Sequence, residues 1–245
     1  MKSLVIGAGQ IGTAIYEIIK PFHKSYIRDI SDIRESGFEI LHICYPEHEN
    51  FVLNTRAYID KYSPELTIIH SSVSVGTTDI CGEHVVYSPI RGRHPNLVPE
   101  IRTYEKFIAG RNEDDVSVAA NYFLKCGLNV MVDYNPVNLE LMKLLSNIHM
   151  GVEIAWRQEV ERIIRKYGAS SSIYNLWEDS YAQGYKRLGQ DHLMRPRMRP
   201  DPIGGHCILE CTDILSQQYP SKIFEFIQES NDYKKFEVKE KNRRK

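Results

Sequence analysis

No stretch of this sequence stays apolar long enough to cross a bilayer, which excludes a helical membrane span. Nor is there an excess of charge of one sign. The 31 basic and 32 acidic side chains leave a formal net charge of −1, so no global positive field draws the chain to nucleic acid or to an anionic membrane. Cysteine lacks pattern as well: Cys44, Cys81, Cys126, Cys207 and Cys211 are odd in number and without framework spacing. Reduced thiols in the cytoplasm are therefore expected rather than a disulfide scaffold. The spacing of Cys207, Cys211 and His206 is too irregular for a structural zinc site and the sequence has no Cys-x-x-Cys pair, so no metal is expected. A nucleophile elbow for a serine hydrolase is missing too, as is any internal repeat. The opening Met1–Ile6 run is too short for a signal peptide, in keeping with a cytoplasmic expectation.

What is present is an alternation of short apolar runs and helical periodicities. Ser3–Ile6, Tyr26–Ile27, Ile40–Tyr45, Leu66–Ile69, Val85–Tyr87, Lys106–Ala109 and Leu128–Val132 read as strands. Ile11–Ile19, Phe51–Tyr62 and Asp114–Cys126 read as helices between them. Such alternation predicts an α/β fold with a parallel sheet covered by helices. From Asn138 the pattern changes. Leu139–Tyr167 is one helical pattern of nearly thirty residues, long enough to connect two domains and to pair with its copy in a homodimer. A further helix is expected within Ser170–Gly189, an irregular basic segment over Arg195–Pro202, and helical turns over Cys211–Tyr219 and Ser221–Ser230. The end from Asn231 carries seven basic and three acidic side chains and is expected to fray. The predicted layout is thus a Rossmann-type dinucleotide-binding domain over residues 1–134, a helical dimerisation and substrate domain over 135–230, and a charged, disordered tail over 231–245.

The Rossmann reading rests on Gly7-Ala8-Gly9-Gln10-Ile11-Gly12, which follows a strand and opens a helix. Gly7 permits a tight turn, Gly9 lets backbone approach a pyrophosphate, and Gly12 lets helix and strand touch. The helix from Gln10 and Ile11 offers free N–H groups to the phosphates. About twenty residues on, Asp29 is placed to accept from a ribose 2'-hydroxyl, which favours NAD; Arg28 and Arg34 nearby weaken that preference. S-adenosylmethionine is a less favoured occupant of the same motif.

Several separated stretches, in order, resemble the nucleotide-sugar dehydrogenases, which oxidise a UDP-sugar with two NAD. They are Gly7–Gly12, Ile68–Thr78 with Ser71 and Ser72, Tyr87-Ser88-Pro89, Lys143 with Asn147, and Pro202–Ile208 with Gly204, Gly205 and His206. The resemblance implies that Cys207 is the nucleophile that attacks an aldehyde intermediate. It implies that Lys143 and Asn147, four apart on one helix, stabilise developing negative charge and place water. Ser71 or Ser72 would contact the nicotinamide end, and Thr77 or Thr78 would cap the next helix. The basic loop Arg91-Gly92-Arg93-His94 is expected on the substrate side of the sheet, where guanidinium groups suit a phosphate or carboxylate. Arg195, Arg197 and Arg199 precede the cysteine loop.

The sequence also departs from that family. Ile90 stands where the family has a glutamate and Cys211 where it has an aspartate, and barely forty residues follow Cys207 where the family has a further nucleotide-gripping domain. The expected activity is therefore an NAD-dependent oxidoreductase acting on an anionic, sugar-like alcohol or carbonyl, in a two-electron rather than a four-electron reaction. The alternative is a catalytically impaired regulatory or assembly protein that binds NAD or a nucleotide sugar.

Overall fold

The computed structural model describes residues 1–93, 95–205 and 207–243. It divides into two compact units, residues 1–145 and 146–245. The division falls inside a helix, eleven residues beyond the 134/135 boundary read from the sequence.

The first unit is built on a seven-stranded sheet. β1 (Lys2–Ile6), β2 (Lys24–Arg28), β3 (Ile40–Ile43), β4 (Leu66–Ile69), β5 (Val85–Tyr87), β6 (Lys106–Ala109) and β7 (Val130–Asp133) lie in the spatial order β2-β1-β3-β4-β5-β6-β7. All neighbours run parallel except β5 and β6, which meet antiparallel with Tyr87 opposite Ala109. The wholly parallel sheet predicted above is corrected at that pair. Between β5 and β6 lies only a short helix, α4 (Leu97–Thr103), a stretch to which the sequence pattern assigned no element.

Strand periodicity explains the layering. Val5, Ile40, Ile68, Val86 and Ile108 face one side, where they pack with Ile15 and Ile18 of α1 (Gln10–Ile19), with α4, and with Val116 and Phe123 of α5 (Glu113–Lys125). Leu4, Ile6, Leu41, Ile43, Ile69 and Tyr87 face the other, against Phe51 of α2 (Phe51–Tyr62), Cys81 of α3 (Thr77–Cys81) and Leu139 of α6 (Pro136–Lys166). Helices on both faces of a mainly parallel sheet make this unit doubly wound.

One polar chain crosses the first of these apolar layers. The side chains of Ser3, His42, His70, Ser88 and Lys106 are all buried, as is Tyr122. His70 Nδ1 lies 2.6 Å from the Ser88 carbonyl, so that nitrogen carries the proton and Nε2 accepts. His42 Nδ1, 3.0 Å away in a nearly coplanar ring, therefore donates to it. His42 Nε2 in turn accepts from the Tyr122 hydroxyl at 3.2 Å, which accepts from Ser3 Oγ at 2.8 Å. With both imidazoles neutral this is the consistent set of protons, and every bond points toward Ser88. At that end Lys106 Nζ donates to the carbonyls of Ser88 (2.6 Å) and Pro89 (3.1 Å), and burial holds its pKa well below the usual lysine range.

The second unit is helical among its described residues. It takes the remainder of α6, then α7 (Ser171–Arg187), a 3-10 turn at Asp191–Leu193, α8 (Cys207–Gln218) and α9 (Lys222–Arg243). The long helix α6 begins at Pro136, three residues before the sequence reading placed it. Proline fits that first helical position, and Asn135 Oδ1 accepts from the Val137 amide beside it. The expectation of a frayed tail from Asn231 is corrected, because α9 runs through Arg243. Asn231 is buried and accepts from the Ile203 amide at 2.8 Å, and Arg165 pairs with Glu237 at 2.8 Å, so this charged segment is held by specific bonds. Composition misled here because part of the charge is itself held in the structure: Lys234 and Glu237 are half-buried and paired with each other at 3.4 Å.

Candidate functional site

In the first unit, the sheet order reverses direction between β1 and β3. Open α/β sheets place their ligands in the crevice outside the carboxyl ends of strands at such a point. The glycine turn sits there. A Cβ on Gly7 would come within 2.9 Å of the Cys44 carbonyl carbon and the Tyr45 nitrogen, and its φ of +99° also favours glycine. On Gly12 it would lie 1.7 Å from the Gly7 carbonyl oxygen, so helix and turn touch only because no side chain intervenes. Gly9 differs. Nothing lies within 4 Å of its missing Cβ, and its φ of −70° suits any residue. No side chain caps α1 and no carboxylate lies in its first turn, so the amides that follow Gly9 keep their donors and their partial positive charge. Gln10 is exposed, while Ile11 packs against the core.

Asp29 follows β2 and is exposed, on the edge of a surface cleft formed by residues 27–33. Arg28, which the sequence placed in competition with it, turns inward. Its guanidinium is buried and donates to Asp32 (2.6 Å), the Tyr62 hydroxyl (3.0 Å) and the Ile30 carbonyl (3.1 Å). Arg34 is exposed.

The loop after β4 is fixed by its hydroxyls and by a distant carboxylate. Ser71 Oγ donates to the Tyr45 carbonyl at 2.5 Å, tying the loops after β3 and β4 together, while Ser72 is half-buried. The start of α3 is capped neither by Thr77 nor by Thr78. Glu140 of α6, fully buried, accepts from the Gly76 amide (2.6 Å), the Thr78 amide (2.8 Å) and the Thr78 hydroxyl (2.6 Å). Sequence reasoning missed this residue, since a carboxylate more than sixty positions away carries no local signal.

Lys143 Nζ donates to the Ile90 carbonyl at 2.8 Å. Together with Lys106 it places two amino groups on three consecutive carbonyls, those of Ser88, Pro89 and Ile90. Ile90 itself is buried in the apolar layer. Beyond it, Arg91 is exposed and stacks over Tyr104 and Phe107, with centroid distances of 5.1 and 5.5 Å. Arg93 is exposed and binds Glu100 through its backbone amide at 2.8 Å. His94, expected at the substrate, lies outside the described residues, as does His206.

In the second unit, Cys207 is half-buried and is the first residue of α8. Gly204 and Gly205 before it are exposed, and Gly205 adopts a φ of +75°. The approach to this segment is anchored by two buried amides absent from the sequence reading. Gln158 Nε2 donates to the Asp201 carbonyl at 2.8 Å, and Asn231 Oδ1 accepts from the Ile203 amide. Asn147 Nδ2 lies 3.1 Å from Cys211 Sγ, so its amide is engaged with the thiol four residues past Cys207. Elsewhere, burial pushes the Cys81 and Cys126 thiols up to about 11, as expected of inert core cysteines. Among the described residues no group of histidine, cysteine and carboxylate side chains could hold a metal, and no helix is long and apolar enough to cross a membrane.

The doubly wound sheet with its glycine turn at the reversal point defines a Rossmann-type fold. No family model matches the chain. Nucleotide-sugar dehydrogenases are similar to it in sequence and in structure. UDP-N-acetyl-D-mannosamine dehydrogenase of Methanocaldococcus jannaschii is 24% identical over 177 residues, which cover 68% of this chain but only 39% of that protein. UDP-N-acetyl-mannosamine dehydrogenase from Staphylococcus aureus matches all of the chain with a TM-score of 0.76 at 15% identity, over 70% of its own length. 3-Hydroxyisobutyrate dehydrogenase of Mycobacterium tuberculosis matches 97% of the chain with a TM-score of 0.65 at 13% identity, and there the match covers 94% of the other protein.

Proposed function

We propose that this chain is an NAD-dependent oxidoreductase acting on an anionic, sugar-like alcohol or carbonyl, with a nucleotide sugar as the favoured substrate class. One observation carries the reading: Gly7 and Gly12 are required by the fold, whereas Gly9 is sterically free in the protein and stands where a pyrophosphate would approach. A glycine the packing does not need, beside an uncapped helix start, fits a bound phosphate group. Asp29 would accept from the adenosine ribose, and the inward turn of Arg28 removes the nearer cation that a 2'-phosphate would seek. Bound there, the nicotinamide ring would supply the hydride acceptor or donor.

For the chemistry we assign Cys207, Lys143 and Asn147, with Arg91, Arg93, His94 and the Gly204-Gly205-His206 segment for the substrate. An ammonium group such as that of Lys143 stabilises negative charge developing on a substrate oxygen. Four-electron oxidation would also require a hydrolytic half with groups to move water's proton. At the two positions where the resembled family has carboxylates, this chain has Ile90, buried and apolar, and Cys211, buried against Asn147. The reading is therefore a two-electron interconversion of alcohol and carbonyl. The same two residues favour the second reading, a protein that binds the ligands without turning them over.

Calorimetry with NAD, followed by NADH formation against a panel of UDP- and GDP-sugars, separates these. The Gly9→Ala protein should melt as the wild type does yet bind NAD at least about tenfold more weakly, because only the ligand's approach is obstructed. Gly12→Ala should lose thermal stability as well. Turnover abolished in Cys207→Ala and Lys143→Ala with NAD binding retained supports the enzyme, and binding without turnover supports the second reading. Undiminished NAD affinity in Gly9→Ala overturns the cofactor site. We also propose a homodimer, since Ile173, Leu176, Trp177 and Leu188 are 61, 61, 63 and 70% exposed along α7 and its end; a monomer mass by light scattering would sink it.

A further inference from the structure

The arginines that precede the cysteine loop belong to a cavity that the oxidoreductase reading does not use. It lies wholly in the second unit, has a volume of about 760 Å³, and is bounded by α6, α7 and the segment 195–200. That volume is in the range of small-molecule sites, roughly 300–1,000 Å³. Its wall combines aromatic rings and guanidinium groups with the carboxylates of Glu153 and Glu178. Tyr181 and Tyr185 present rings 5.9 Å apart and tilted by 27°, and Trp156 stands on the α6 side. Among them are guanidinium groups. Arg195 lies over Tyr181 at 5.3 Å and is braced by Glu178 at 3.2 Å.

Arg157 lies over Tyr174 at 4.6 Å and is braced by Glu161 (2.8 Å) and Asn175 (3.0 Å) through Nη2. Its Nη1 is buried with no hydrogen-bond partner. Without accessible surface that nitrogen does not face the cavity, so Arg157 braces the Tyr174 ring at the wall rather than offering a donor to a ligand. Arg199 is exposed at the mouth and makes no ion pair among the described residues.

We propose that this cavity binds a free nucleoside phosphate, the base against Tyr181 and Tyr185 and the phosphate on Arg195 and Arg199. Guanidinium forks match phosphate oxygens, and aromatic faces accept any base. The near-zero net charge of the chain opposes a nucleic-acid strand as the occupant. The proposal goes beyond the reading of the glycine turn and stands on second-unit residues alone.

Both tryptophans of the chain report on this cavity. Trp156 lines it, and Trp177 lies 6.3 Å from the Tyr181 ring. Tryptophan fluorescence should therefore be quenched saturably by UDP or ADP, equally in the wild type and in Gly9→Ala. Arg199→Ala and Tyr181→Ala alter exposed side chains, so both should keep the wild-type helical circular dichroism. Each should weaken the nucleotide about tenfold or more. Inorganic pyrophosphate should bind more weakly than UDP. Absence of saturable quenching, unchanged affinity in the two variants, loss of quenching in Gly9→Ala, or pyrophosphate binding as tightly as UDP would each overturn it.

Discussion

His42 and His70 occupy the centre of the buried chain between Ser3 and Ser88, and their environment determines which charge state the fold accepts. Burial lowers both, His42 to about 3, with the positive charge that Lys106 carries when protonated as the second cause in each case. His23, stacked on Tyr122 at 4.0 Å, is lowered in the same direction, again chiefly by burial. Unfolded, each imidazole returns to an ordinary value near 6.5. The folded value being the lower one, the contribution is complete above the unfolded value and is lost as pH falls below it. Each deeply buried ring then costs about 1.4 kcal/mol per pH unit. Denaturant titrations at pH 7.5 and 5.5 should thus differ by about 2–3 kcal/mol from His42 and His70 together. A stability independent of pH across that window would contradict the neutral, directional chain. None of this was legible from the sequence, where the histidines appear scattered; strand pairing alone brings residues 42 and 70 side by side.

At the scale of elements, α6 does more in the first unit than connect. Its Glu140 supplies three hydrogen bonds to the start of α3, and its Lys143 holds the Ile90 carbonyl. Glu140→Ala should destabilise the protein by roughly 2–4 kcal/mol, because it leaves buried donors at Gly76 and Thr78 without an acceptor. Chemical denaturation measures this, and a loss below half a kcal/mol would show that α3 is capped by other means. The helix itself was legible from its period, though not its start at Pro136, and so were β1, α1 and the glycine turn, whose signals are local. α4 was not, because seven residues give too little periodicity. Nor was the antiparallel β5/β6 pair, since direction depends on the connection between strands rather than on their composition. α7 shows a further division of labour: Tyr174, Glu178, Tyr181 and Tyr185 line the cavity, while Ile173, Leu176 and Trp177 lie exposed.

For the molecule as a whole, the sequence divides into a sheet-bearing unit whose plan was readable and a helical unit whose ties were not. The ties are buried amides and a hydroxyl. Gln158, Ser230 and Asn231 meet around residues 201–203, with Ser230 Oγ donating to Gln158 Oε1 at 2.8 Å. A deletion of residues 231–245 should therefore lower the melting temperature and speed maleimide labelling of Cys207, since the loop before that thiol loses an anchor. If the segment were a loose appendage, melting and labelling would both be unchanged.

The bond between Ile203 and Asn231 also bears on how the chain matures during translation. The amide at 203 leaves the ribosome twenty-eight residues before its acceptor, so the Gly204–Gly205 segment lacks one of its two anchors while α8 emerges. A nascent chain halted between the two would carry a thiol already made but not yet set, and only the arrival of α9 would complete its surroundings.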